Sequence, residues 1–371
     1  MERWDAIVVG GGAMGTSTAR WLARGGRRTI LLERFSIGHR NGSSHGPNRI
    51  FRLAYHHPDY VRMARLALDE WRRLEDEAGE HLLDTTGGLD AGPGAAVAAE
   101  ALAAAGETFE WMTPEAAAER WPLLRPPDGR LVCQADAGVC RADRTVAAQA
   151  RLAAGYGATI AEETTARTIA PAPSGDGVEV TTDDGRVYRA GVAVVTAGAW
   201  TGPLLAAAGF DLPLRVTREV IGYARLPREG GVPTLIEWPT GDRLHARYAL
   251  PVPGHPDLVK LGAHQAGDTV DPDRLPPGPL TEPALDGYAA ERFPGSVVAE
   301  VESCLYTNTP DEDFVLDRVG PVVIGSPCSG HGFKFTPLIG RILAGLATGE
   351  GPPVSLGRFA WDRTSLAAPP P

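Results

Sequence analysis

Near the start of the chain an apolar run, Asp5 to Val9, breaks into the glycines of "GGGAMG" and gives way to an alanine- and leucine-rich stretch from Ala13 to Arg24. This junction constrains the fold more than any other stretch. A short apolar run bounded by glycines reads as a buried strand, and the stretch after it as a helix. Gly10, Gly12 and Gly15 stand in the order G-x-G-x-x-G. Gly10 allows a tight turn, Gly12 lets the backbone approach a pyrophosphate, and Gly15 lets helix and strand pack closely. The helix N-terminus then faces the phosphates. "RTILLE", Arg28 to Glu33, is a second buried strand. Glu33 lies 18 residues after Gly15, where a carboxylate can accept from ribose hydroxyls. The whole is a βαβ unit suited to a dinucleotide. An ordinary glycine-rich turn would share the motif, but the position of Glu33 favours the nucleotide. Position alone does not separate NAD from FAD.

At 371 residues the chain is long enough for about two domains, each with its own core. Its net charge is −10 with no basic run, which argues against nucleic acid and against an anionic membrane surface. No apolar run approaches the ~18 residues of a transmembrane helix. The start, "MERWDAIVVGGG", lacks the basic segment of a signal peptide. Four cysteines, Cys133, Cys140, Cys304 and Cys328, are too few for a disulfide scaffold and lack paired zinc spacing. A reduced cytoplasmic setting follows. Of the 36 basic residues, 34 are arginine. The two lysines are Lys260 in "DLVKLGAHQ" and Lys334 in "SGHGFKFTP". Lysine is a compact ammonium whose pKa shifts readily, whereas arginine is a planar fork that stays charged.

Further along, the pattern predicts helices over Asp59–Glu77 and Ala96–Ala105, and a third in "RTVAAQARLAAGYG" ending on Gly155 or Gly157. A hairpin is expected over Asp184-Gly185, followed by a buried strand into Gly198. Residues 213–308 read as strand-rich, with Pro-rich loops near 251–256 and 271–283. The strand "PVVIGS", a Gly-rich turn and the helix "PLIGRILAGLATG" close the pattern, and the tail "AAPPP" is expected to be disordered.

The blocks "VVGGGAMG", "NGSSHGPNRIFRLAY", "TAGAW", "KLGAH", "CLYTNTPDEDF" and "SGHGFKF" occur in that order. From about residue 4 to residue 361 the chain resembles the monomeric sarcosine oxidase and N-methyltryptophan oxidase family of flavoenzymes. The resemblance implies an α/β plus α+β fold. A Rossmann-type FAD-binding domain (1–84, 144–212 and 309–371) would carry a strand-rich substrate domain (85–143 and 213–308), as in D-amino-acid oxidase. It implies FAD joined covalently through its 8α-methyl group to Cys304, and a carboxylate clamp of Arg52 and Lys334. His45 and Arg49 would lie over the flavin ring, Tyr248 and His264 beside the substrate, and Lys260 near flavin N5, where oxygen reacts. The same blocks assign Ser43, Gly198, Trp200, Gly330, Gly332, Phe333 and Lys334 to the cofactor, alongside Gly10, Gly12, Gly15 and Glu33. The Cys328 neighbourhood, "GSPCSGHG", departs from the small and apolar residues usual there.

The two retained lysines thus fall on the two lysine positions that the family uses. The expected activity is oxidation of sarcosine or another N-methyl amino acid to an imine, with O2 reduced to H2O2, by a monomer. Oxidation of a cyclic imino acid is the alternative within the family. An NAD-linked dehydrogenase would leave the C-terminal blocks without a role, and a flavin-binding sensor would have no use for Lys260 or the clamp.

Overall fold

The computed structural model describes residues 3–172, 175–239, 246–277, 280 and 283–367. Most of the tail expected to be disordered, 368–371, and part of the Pro-rich stretch 271–283 lie outside the described residues.

The first apolar run is the strand Arg3–Val9, the helix after it is Ala13–Arg24, and the next strand is Thr29–Leu32. These strands are parallel neighbours in an eight-stranded sheet. Along the main path the sheet runs Ala166–Pro171, Val178–Thr182, Val187–Val195, Arg3–Val9, Thr29–Leu32, Thr159–Ala161. Val322–Ser326 pairs in parallel with Val187–Val195 and is joined antiparallel to Val315–Val319. Where the parallel strands meet in the sheet centre they are apolar, because both faces are covered there. Ile7, Val8, Leu31, Val194 and Ile324 are fully buried. The helix Thr336–Thr348 packs against Ala13–Arg24. It ends at Gly349 in the left-handed conformation, as glycine favours at a helix C-terminus.

The second sheet has nine strands, in the order Asp268–Thr269, Arg215–Arg225, His255–Ala263, Arg247–Val252, Thr234–Glu237, Gly88–Ala91, Leu131–Gln134, Glu110–Met112. The long strand Val297–Asn308 pairs with Arg215–Arg225 and places Cys304 opposite Glu219. The pair Gly88–Ala91 and Thr234–Glu237 is parallel in a sheet whose other described pairs are antiparallel. A third sheet of three short strands, Arg49–Phe51, Gly138–Cys140 and Leu83–Thr85, holds the "NRIFR" segment.

Several expectations change in detail. The helices are Pro58–Ala78, Pro93–Ala104 and Ala142–Gly155, each beginning earlier than its apolar pattern. Proline at the first turn starts the first two, since its missing N–H has no intrahelical partner there. The strand-rich stretch 213–308 also holds a helix, Pro283–Arg292. The region near 251–256 is a hairpin turn rather than a loop: Pro251 lies inside the strand Arg247–Val252, and His255 already begins the next. No helix among the described residues is long and apolar enough to cross a membrane.

Candidate active site

The Gly-rich turn, the helix start and the ends of the parallel strands enclose a cavity of about 540 Å³. Gly10, Gly12, Glu33, Ser43, Gly198, Trp200, Gly330, Gly332 and Phe333 all line it. Gly10 sits at φ +100°, and a Cβ there would lie 2.6 Å from the Thr196 carbonyl oxygen. Gly15 does not line the cavity. Its Cβ would fall 1.7 Å from the Gly10 carbonyl oxygen, so its absence is what lets the helix seat on the turn. Glu33 is held from both sides: Oε2 accepts from Gly11 N at 2.5 Å and Oε1 from Phe35 N at 2.7 Å. A carboxylate offers about four acceptor directions, so acceptor capacity remains for a ribose. Ser44, which the sequence reading passed over, accepts from Ala13 N at 3.0 Å and covers Gly12. The size, the glycine cradle, the helix N-terminus and the fixed acidic residue fit an FAD.

A second, smaller cavity of about 100 Å³ shares Arg49, Tyr306 and Gly330 with the first. Arg52, Tyr248, Lys260, His264, Cys304 and Lys334 line it. Both lysines therefore point into one space. Lys334 donates to the Tyr55 hydroxyl at 3.0 Å and to the His331 carbonyl at 2.8 Å. Its backbone carbonyl accepts from Trp71 Nε1 at 2.7 Å, which fixes the turn. Burial, and then the Arg52 cation, hold the Lys334 ammonium well below its usual range. Arg52 lies between the rings of Tyr55 and Trp238, at 4.5 and 4.8 Å from their centroids. One of its nitrogens donates to the Ala54 carbonyl, and its Nε has no protein partner. A guanidinium with an unpartnered Nε beside a lysine amine in a buried cavity suits a carboxylate.

Lys260 lies on the strand His255–Ala263 and donates to the Asn48 carbonyl at 3.3 Å. It is 3% exposed, and burial, reinforced by Arg49, lowers its pKa to about 7. Arg49 donates to the carbonyls of Ser43, His45 and Asn48 at 2.7–2.8 Å, so it stands rigidly at the boundary between the cavities. Cys304 lines the smaller cavity; burial raises its thiol pKa, while Arg49 and Lys260 oppose the rise. Cys328 lines the larger one, its thiol pushed up by burial to about 11.

His264 packs against Tyr306 with centroids 5.7 Å apart, and both lie close to Gly330. The Tyr248 ring lies over Gly262, where a Cβ would meet its hydroxyl oxygen at 2.3 Å. His45 is placed differently. It is buried but lines neither cavity, and both ring nitrogens lack partners. Burial first, then Arg49, Arg40 and Lys260, lower its pKa to about 3. A neutral imidazole is what such surroundings dictate, so the charge beside the boundary comes from Arg49. Tyr55, Tyr306, Trp238 and Asp90 were missed as site residues. Only Tyr55, inside "NRIFRLAY", and Tyr306, inside "CLYTNTPDEDF", carried a signal.

A buried ammonium with a lowered pKa costs stability, and the sign is fixed. Between about pH 7 and the lysine range near 10.5 the unfolded chain binds a proton that the folded one has lost, so stability rises with pH there. Below about pH 7 both states are protonated and the full penalty is present. Lys260→Met should therefore stabilise flavin-free protein at pH 6–7 by roughly 1–3 kcal/mol, with a gain that shrinks towards pH 10. Urea unfolding at the two pH values checks this, and an equal gain at both would contradict it.

A family model described as DAO, FAD dependent oxidoreductase, matches residues 5–346. A peroxisomal sarcosine oxidase of Mus musculus is 34% identical over 98% of this chain and 96% of its own length. A monomeric sarcosine oxidase of Bacillus sp. (strain NS-129) is 32% identical over 98% and 97%. Among solved structures NikD, described as an unusual amino acid oxidase essential for nikkomycin biosynthesis, superposes with a TM-score of 0.84 at 28% identity, covering 97% of this chain and 98% of that one. The glycine cradle, the fixed acidic residue and the full-length similarity have one explanation: the chain belongs to the FAD-dependent oxidoreductase family, in the group of monomeric sarcosine oxidases and N-methyl-L-tryptophan oxidases, and is a flavin amine oxidase.

Proposed function

We infer that the enzyme oxidises sarcosine or a similar N-methyl amino acid, consuming O2 and water and giving the primary amino acid, formaldehyde and H2O2. The observation that carries this is the convergence of Arg52, Lys334 and Lys260 in one buried cavity that adjoins the nucleotide-sized one. Arg52 and Lys334 bind the substrate carboxylate, one as a fork and one as a point charge. That grip leaves the amine and its carbons facing Arg49, Tyr306 and Gly330, on the side of the larger cavity. Tyr248 and His264 bound the substrate and exclude water. Bound FAD would supply the acceptor for the hydride equivalent leaving the carbon beside nitrogen, and would pass both electrons to O2. Gly10, Gly12, Glu33, Ser43, Gly198, Trp200, Gly330, Gly332 and Phe333 would hold it, with Gly15 setting the turn.

The two larger sheets support a division of labour in which 1–84, 144–212 and 309–371 form the cofactor domain and 85–143 with 213–308 the substrate domain, with the small third sheet tying the two together. The enzyme works as a monomer in the cytoplasm. Release of H2O2 from a panel of N-methyl and cyclic amino acids tests the reading. Activity confined to proline- or pipecolate-type acids would replace it with the cyclic alternative, and peroxide from none of them would refute it.

Cys304 is the attachment point for the flavin, because it lines the smaller cavity next in sequence to Leu305 and Tyr306, which line the larger, with Arg49 and Lys260 lowering the cost of the thiolate. Acid-precipitated protein should keep its yellow colour in the pellet. Cys304→Ala should release essentially all of it to the supernatant. Wild-type protein that frees its flavin on precipitation has no such bond.

A further inference from the structure

The smaller cavity has a wall that the carboxylate clamp does not explain. Trp238 follows the strand Thr234–Glu237 and extends its parallel ladder, donating its backbone N–H to the Ala91 carbonyl at 2.9 Å. Its indole N–H donates to Asp90 Oδ1 at 2.8 Å, and both residues are buried. The facing stretch "GLDAGPG" is cut to receive the indole. A Cβ on Gly92 would lie 2.3 Å from the Trp238 carbonyl oxygen, and one on Gly94 would lie 2.7 Å from Trp238 Cβ. The His56 ring backs the indole at 4.4 Å. Asp90 Oδ1 also lies 3.7 Å from Arg52 Nη1, so one carboxylate fixes both the wall and the fork beside it.

Swinging the indole away would cost its buried N–H an acceptor and leave Asp90 only its 3.7 Å contact with Arg52, which is costly. The wall is therefore rigid. With a substrate carboxylate on Arg52 and Lys334 and the reacting bonds towards the larger cavity, the α-substituent is left facing Trp238, Ile236, Ala246 and Leu250, all of which line this space. We propose that Trp238, held by Asp90, is the specificity-determining residue of this site. It admits carboxylates whose α-substituent is hydrogen or a small aliphatic group, and rejects aromatic ones. This deepens the amine-oxidase reading and rests on its carboxylate clamp.

Calorimetric titration of the holoenzyme with acetate and with phenylacetate tests it without turnover. Wild-type enzyme should bind acetate at least as tightly, although the phenyl ring offers far more apolar surface. In Trp238→Ala the phenylacetate-to-acetate affinity ratio should rise at least tenfold. The kcat/KM for N-methylphenylalanine relative to sarcosine should rise by a similar factor. A smaller rise in the affinity ratio overturns the proposal, and so does wild-type enzyme that prefers phenylacetate. Should loss of the indole alone prevent folding, the smaller step Trp238→Leu makes the same comparison with Asp90 left beside Arg52, and the wild-type arm stands without any variant. Absence of peroxide from sarcosine would instead overturn the oxidase reading while leaving the binding ratio to judge the wall.

Discussion

Replacing Lys260 with methionine should slow the reaction of the reduced enzyme with O2 at least 100-fold, while anaerobic reduction by substrate stays within about tenfold of wild type. Methionine keeps roughly the side-chain length and removes the charge. The side chain is 3% exposed and tied to the Asn48 carbonyl, at the cavity that meets the nucleotide-sized one. Electron transfer to O2 creates negative charge where none existed before. A compact cation in a dry site stabilises that charge far more than water would, and a loss of about 2.7 kcal/mol corresponds to the 100-fold change. Substrate oxidation makes a different demand, because the carboxylate is held by Arg52 and Lys334. Stopped-flow absorbance follows each half-reaction separately. The pH dependence has a definite sign: burial and Arg49 lower the Lys260 pKa, so the wild-type rate with O2 should fall as pH rises and the variant rate should stay flat. Collapse of the reductive half-reaction with an intact oxidative one would make Lys260 a substrate-binding residue instead.

Lys334→Met should weaken binding of a carboxylate inhibitor by at least tenfold. Removing one partner of a desolvated charge pair costs about 2–5 kcal/mol. In the empty site the ammonium is pushed well below its usual range by burial and by Arg52. An incoming carboxylate reverses that push, so binding should take up a proton. Affinity in wild type should accordingly fall as pH rises, and the methionine variant should lose both the proton uptake and the pH dependence. Titrations in buffers of different ionisation enthalpy measure the uptake directly. An unchanged dissociation constant, with flavin fully bound, would remove Lys334 from the clamp.

Sequence legibility followed the range of the interactions involved. The first strand, its glycines and its helix were readable because the determinants are local: Gly15 must lack a Cβ for its helix to clear the Gly10 carbonyl. Lys260 and Lys334 were readable for a different reason, being the two lysines of an arginine-rich chain. The pairing of Trp238 with Asp90 had no local signature. It joins residues 148 apart in sequence because two distant strands lie side by side, a register that no window contains. The helix Pro283–Arg292 hid behind a Pro-rich context, and the strand at Pro251 behind the expectation that proline marks a loop. His45 sits in a telling motif, yet the fold turns it into a neutral, unpartnered imidazole off both cavities.

The parallel ladder through Val187–Val195 also bears on how the protein is made. Its segment Ala193–Val195 receives its last neighbour, Val322–Ile324, roughly 130 residues later. At ~5–20 residues per second, that edge stays bare for on the order of ten seconds of synthesis. Its row of unpaired amides, flanked by valines, is a template for pairing with another nascent chain. The nucleotide cleft cannot close around its ligand in that interval, because Gly325, Pro327 and Gly330 belong to its lining. The cofactor can therefore be fully enclosed only after residue 330 has been made.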